Sequence, residues 1–161
     1  MTLDPDAFRQ SMRNWTTGIA IFAAEHAGNR HGMTVSSFTS VSLTPPLVLA
    51  SIQKYTRTYE VADLSGAFSI TILADNQQEL SDRFAGRYGE EEDRFAGLET
   101  EVLLTGSPLI VGGMAYIDCK IYSKIDLETH ALFIGEVVAV RDLAPLNPLV
   151  YFDRAYRKLQ E

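Results

Sequence analysis

Apolar and polar residues alternate with a period of two through much of this chain. Ala115, Ile117, Cys119 and Ile121 stand against Tyr116, Asp118, Lys120 and Tyr122. Because successive side chains on a strand point to opposite faces, this predicts one core face and one amphipathic face. Phe68, Ile70 and Ile72 alternate in the same way with Ser69 and Thr71. Other runs are apolar at nearly every position. Residues 47–52, which follow Pro45-Pro46, read as a strand buried on both faces. Residues 132–140 are equally apolar, and in a small domain that predicts a face meeting another subunit. Residues 18–24 and 31–37 flank a Gly-Asn turn signal within 26–30 and read as a hairpin.

Three segments carry helical signals instead. Asp4-Pro5 followed by Phe8, Met12 and Trp15 gives an N-cap, a first-turn proline and one apolar face, predicting a short packed helix that ends before Gly18. Residues 58–65, closed by Gly66, form a second. Residues 75–85 form the third, with Asp75 as an acidic cap, Leu80 and Phe84 four apart, a Glu79–Arg83 pair and Gly86 as the stop. The charged residues 87–97 read as a surface excursion, either a lid or specificity loop or a plainly solvated one. Many short strands with few, peripheral helices make the chain mainly β, a closed or nearly closed antiparallel barrel.

Composition narrows the chemistry. A length of 161 residues with 46% hydrophobic and 22% charged residues fits a single folded domain spanning 1–161. A net charge of −7 without a Lys/Arg cluster argues against nucleic acid. The apolar runs are too short to span a membrane, and residues 1–14 lack the apolar stretch of a signal peptide, so no membrane and a cytoplasmic location are expected. One cysteine, Cys119, excludes an intrachain disulfide and reads as a small buried hydrophobe. His26, His31 and His130 show no paired ligand spacing, so no metal is expected.

The common motifs for nucleotide binding by a glycine-rich turn, serine hydrolysis and zinc proteolysis are all missing. One stretch stands out. Residues 34–42 hold six Ser or Thr in nine positions, set between two apolar strands. Backbone N–H groups and hydroxyls can surround a phosphate without any formal charge. An ordinary Ser/Thr-rich edge strand explains the composition equally simply.

Residues 32–46, continued by Leu47-Val48-Leu49, resemble the signature of the flavin reductase-like, FMN-binding split-barrel family, which includes reductase components of two-component monooxygenases. The likeness continues through Lys54-Tyr55-Thr56-Arg57-Thr58, Ser81-Asp82-Arg83-Phe84-Ala85, Asp93-Arg94-Phe95, Gly106-Ser107-Pro108-Leu109, Cys119, His130 and Pro148-Leu149-Val150-Tyr151. It implies a homodimeric split β-barrel with a few peripheral helices and a flavin groove near the dimer interface. It also implies an NAD(P)H-dependent flavin reductase, moving hydride from NADH or NADPH to FMN or FAD and supplying diffusible reduced flavin to a separate oxygenase component.

By the same resemblance, Met33, Thr34, Ser36, Ser37, Phe38, Thr39 and Ser40 run beside the flavin ring and ribityl chain. Ser51, Ile52, Gln53, Lys54 and Thr58 form a second flavin segment, and Ser81, Arg83 and Phe84 close over it. Lys54 and Arg57, beside a helix beginning near Thr58, offer positive charge to a flavin phosphate or pyrophosphate. His130 falls on the nicotinamide side, as catalytic and nucleotide-binding residue or as a structural histidine. Tyr151, Arg154 and Tyr156 interleave aromatic and cationic groups suited to adenine and phosphates, or simply pack the chain's end on the barrel. Tyr55 stands where many relatives carry Ser, which leaves FMN and FAD both open, and Glu128-Thr129-His130 replaces a Gly-Asp-His triplet. The rival readings are a non-catalytic flavin-binding or electron-relay protein and, more distantly, an oxidase of a pyridoxine-type cofactor.

Overall fold

The computed structural model describes residues 3–87, 89, 93–143 and 145–159. Its centre is a seven-stranded antiparallel sheet in the order β3-β2-β6-β9-β10-β5-β4. The strands are β2 (Ala20–His26), β3 (Asn29–Val35), β4 (Phe38–Leu43), β5 (Pro46–Gln53), β6 (Ala67–Ile72), β9 (Ala115–Asp126) and β10 (His130–Asp142). β1 (Thr17–Gly18), β11 (Val150–Phe152) and β12 (Ala155–Arg157) form a small second sheet, and β7 (Thr100–Glu101) pairs with β8 (Leu109–Ile110). Consecutive strands β3 and β4 occupy opposite edges, yet only Ser36 and Ser37 join them. Two residues span under about 8 Å, so the sheet must curl until its edges meet. The edges do not pair across the seam, and the result is a barrel split between β3 and β4.

The β2–β3 hairpin forms as its turn signal predicts, with Ala27 and Gly28 both at positive φ, the geometry that matches strand twist. Inside the curl, the Phe22 and Phe68 rings stack at 4.6 Å, and Phe133 tilts against both. Helix α2 (Arg57–Ser65) adds Val61 and Ala62 to the same core. Outside, Ile21, Ala23 and Leu73 pack with Phe84, Phe95 and Ile110 in a second cluster. Residues 20–24 of β2 are therefore buried on both faces, which explains their unbroken apolar run.

Several expectations need correction. β5 is not buried on both faces: Val48, Ala50 and Ile52 point into the core, while Leu47, Leu49 and Ser51 are half-buried on a face no helix covers. β9 keeps Lys120 and Tyr122 of its amphipathic face exposed as expected, but buries Tyr116 and Asp118, over which residues 102–110 fold. The Asp118 carboxylate accepts the N–H groups of Leu104 at 2.7 Å and Thr105 at 2.8 Å. Helix α1 (Pro5–Met12) is capped by Asp4 as expected, but it is not packed. Phe8, Met12 and Trp15 are 56%, 48% and 68% exposed, since the helix lies beyond the sheet and its end is held by Arg13 and Asp153. Helix α2 starts earlier than Thr58: Thr56 is its cap and accepts the N–H of Tyr59.

Helix α3 spans only Gln78–Phe84 and has no side-chain cap. Asp75 is engaged elsewhere, its N–H donating to Asn147. Arg83 bonds the carbonyls of Asp93 and Ala96 instead of pairing with Glu79. Of the charged excursion at 87–97, residues 88 and 90–92 lie outside the described residues. Cys119 is fully buried; desolvation, and then the Asp118 carboxylate, push its thiol up to about 12, consistent with an inert core residue. Among the described residues no helix is long and apolar enough to cross a membrane.

Gly135 is closely enclosed in the interior. A Cβ there would lie 2.4 Å from Phe68 Cζ and 2.8 Å from Cys119 Cβ. Gly135→Ala is expected to cost about 1–3 kcal/mol through overpacking, read by chemical denaturation; an unchanged midpoint would show that the Phe68 ring gives way freely.

Candidate functional site

A cleft of about 460 Å³ opens where three parts of the chain converge. Edge strand β3 contributes His31, Met33 and Thr34, the β5–α2 junction contributes residues 53 and 55–58, and the end of α3 contributes Phe84, Ala85 and Gly86. Arg94 completes the wall. The convergence follows from the fold. β3 has a neighbour on one side only, so its other edge is free to face α3, and Arg94 secures that approach by donating to the carbonyls of Gly32 at 2.9 Å and Phe84 at 3.0 Å. Gly32 permits the fit: a Cβ on it would lie 3.0 Å from the Phe84 ring.

The cleft is cationic in an acidic chain. Arg57 and Arg94 line it together with the N-terminus of α2, whose first-turn N–H groups carry partial positive charge. His31 is buried beside them. Its Nδ1 lies 2.7 Å from the Thr58 hydroxyl, while its Nε2 is buried without a hydrogen-bond partner among the described residues. Desolvation first, then the charges of Arg94 and Arg57, hold the imidazole down to about 4 against an upward pull from Asp93. His31 is therefore neutral near pH 7. A neutral buried donor beside two guanidinium groups and a helix N-terminus has the chemistry of an anion site.

The residues expected from the sequence divide among several places. Met33, Thr34, Gln53, Thr58 and Phe84 line the cleft, although Phe84 is also fully buried and meets Phe95 edge to face at 5.0 Å. Ser36, Ser37, Phe38 and Thr39 line a neighbouring groove of about 540 Å³ with residues 15–20, and Ser40 is exposed on β4. Ser51 accepts the Ser37 hydroxyl at its carbonyl, which prolongs the β4–β5 pairing by one residue, and Ile52 is core. Lys54 donates to the Leu127 carbonyl and lies 3.6 Å from Asp126, which ties the junction to the β9–β10 turn. Ser81 is buried against the Tyr156 hydroxyl at 2.8 Å, and Arg83 faces a separate groove.

His130 is exposed, with Nδ1 2.9 Å from the Thr129 hydroxyl, and the β5–β10 register sets it directly opposite Gln53 at the cleft's edge. Tyr151 and Tyr156 meet at 5.4 Å, and the Tyr156 hydroxyl donates to Asp82. Tyr151 and Arg154 border a recess with Phe8 and Met12. Trp15 borders both that recess and the groove of Ser36 to Thr39, so Tyr151 and Arg154 neighbour that groove rather than Arg57. Sequence reasoning missed His31 and Arg94. His31 shares a strand face with Met33 and Val35, a position where a polar side chain must find partners, and that was the available signal.

Residues 12–160 match the flavin reductase like domain, and the chain belongs to that family. It is 34% identical over 146 residues to the reductase subunit HsaB of a flavin-dependent monooxygenase from Mycobacterium tuberculosis, covering 91% of this chain and 76% of that one. It is 34% identical over 157 residues to the NADH-dependent flavin reductase StyB of Pseudomonas fluorescens, covering 96% and 89%. The solved structure of the flavin reductase PheA2 superposes with a TM-score of 0.89 at 34% identity, covering 99% of this chain and 100% of that one.

The histidine yields a pH prediction. Below 6.5 the unfolded chain takes up a proton that native His31 refuses until about pH 4, so its contribution to stability is full above 6.5 and is lost on acidification across that window. His31→Gln is expected to flatten the stability profile between those values; an unaltered slope in denaturation at stepped pH would show that His31 does not set it.

Proposed function

We propose that this cleft holds the phosphate end of a flavin and that the chain is an NAD(P)H:flavin oxidoreductase. The observation that carries the reading is the buried, partnerless Nε2 of His31, set beside Arg57 and Arg94 at the start of α2. His31, anchored through Nδ1 to the Thr58 hydroxyl, backs the wall of the cleft formed by Arg57 and the first turn of α2. Arg57 adds a charge-assisted donor, and Arg94 holds the walls of the cleft at Gly32 and Phe84.

When bound, the flavin supplies the acceptor for hydride from a reduced nicotinamide. The chain's part is orientation, which is why it needs no strong acid, base or nucleophile. Met33 and Thr34 extend from the cleft toward Ser36, Ser37, Phe38, Thr39 and Ser40, the path assigned to the ring and ribityl chain. His130, opposite Gln53, serves the nicotinamide side. Tyr151, Arg154 and Tyr156 are assigned to the nucleotide. The apolar side chains of Leu47, Leu49, Leu132 and Ile134, only half-buried on one face of the sheet, support a homodimer. Reduced flavin passes to a separate oxygenase component in the cytoplasm.

NADH or NADPH consumption by the purified chain is expected to require added FMN or FAD and to saturate with it. Tight flavin binding without consumption would make it a relay protein, and no binding at all would sink the reading. Arg57→Ala is expected to weaken flavin binding by roughly tenfold, the loss of one charged hydrogen bond. His130→Ala should slow hydride transfer at saturating nucleotide while leaving flavin affinity nearly intact; stopped-flow rates equal to the parent's would move His130 to a structural role.

A further inference from the structure

Tyr55 is placed unlike the other large aromatics of the chain. It belongs to the turn between β5 and α2, immediately before the capping Thr56, and its φ of 63° is a left-handed conformation that bulky residues seldom adopt. Its side chain is not drawn into the core: the residue is 83% exposed, yet it lines the cleft beside Arg57. Among the described residues its hydroxyl makes no hydrogen bond. One ring face lies 5.8 Å from the ammonium of Lys54, which is itself fixed by the Leu127 carbonyl and Asp126. An exposed aromatic ring on a strained backbone, at the mouth of a cationic cleft, offers a flat π surface next to an anion site.

We propose that Tyr55 is a specificity residue that stacks on the adenine of a dinucleotide flavin, so that the cleft favours FAD over FMN. The proposal rests on the flavin reading above. FMN ends at its phosphate, so its contacts stop at His31, Arg57 and the α2 N-terminus. FAD continues through a second phosphate to an adenosine, which needs an apolar planar partner just beyond those cations. Tyr55 stands at that position, and stacking on a base draws on the ring and not on the hydroxyl.

The test is flavin affinity of the full chain, measured by fluorescence quenching with FAD and with FMN for the parent, Tyr55→Ser and Tyr55→Phe. Tyr55→Ser is expected to weaken FAD about tenfold while FMN changes less than about twofold, and Tyr55→Phe should keep the parent's FAD affinity, since base stacking survives loss of the hydroxyl. An equal loss for both flavins, no loss for FAD, or failure of the phenylalanine variant to retain affinity would overturn the assignment. If the parent binds neither flavin, the reading of the cleft itself fails and the proposal falls with it. That outcome is distinct from binding that Tyr55 does not affect.

Discussion

Two serines carry the chain from one edge of a seven-stranded sheet to the other, and the rest of the architecture follows from that short step. Because Ser36 and Ser37 cannot span a flat sheet, the strands must curl, and curling gives the three phenylalanine rings of β2, β6 and β10 a common interior. The edges come close but do not pair, so β3 keeps a free side. The cleft occupies that side. Closing the barrel by direct β3–β4 pairing would use the edge at which α3 and Arg94 now meet β3.

The cleft gathers positive charge locally in a chain whose net charge is negative. The chain carries −7 overall, but Arg57, Arg94 and a helix N-terminus gather around one histidine. Desolvation first, and then the charges of Arg94 and Arg57, keep that histidine neutral.

Much of the fold was legible locally. The β2–β3 hairpin, the core face of β6, the inward face of β9 and the glycine stop of α2 all follow from periodicity and turn chemistry, which act over a few residues; that Ser69 and Thr71 of β6 are buried as well does not. The failures share one cause. Whether an apolar run such as residues 47–52 is buried on one face or two, whether the Phe8–Met12 face of α1 is covered, and whether Asp118 faces water or a loop depend on what another part of the chain lays over them.

The candidate site divides along the same line. The sequence by itself determined the β2–β3 hairpin, the long strands of the central sheet that alternate in pattern and, through its resemblance to flavin reductases, the segments around Met33, Gln53 and Phe84 that border the cleft. Only the tertiary structure decided that His31 meets Thr58, that Arg94 reaches across to β3, that Ser81 meets Tyr156 and that Lys54 meets the Leu127 carbonyl. Local patterns encode which way a side chain points. The partner it meets is fixed by strand order and by the curl of the sheet, and neither is written in any stretch of neighbouring residues.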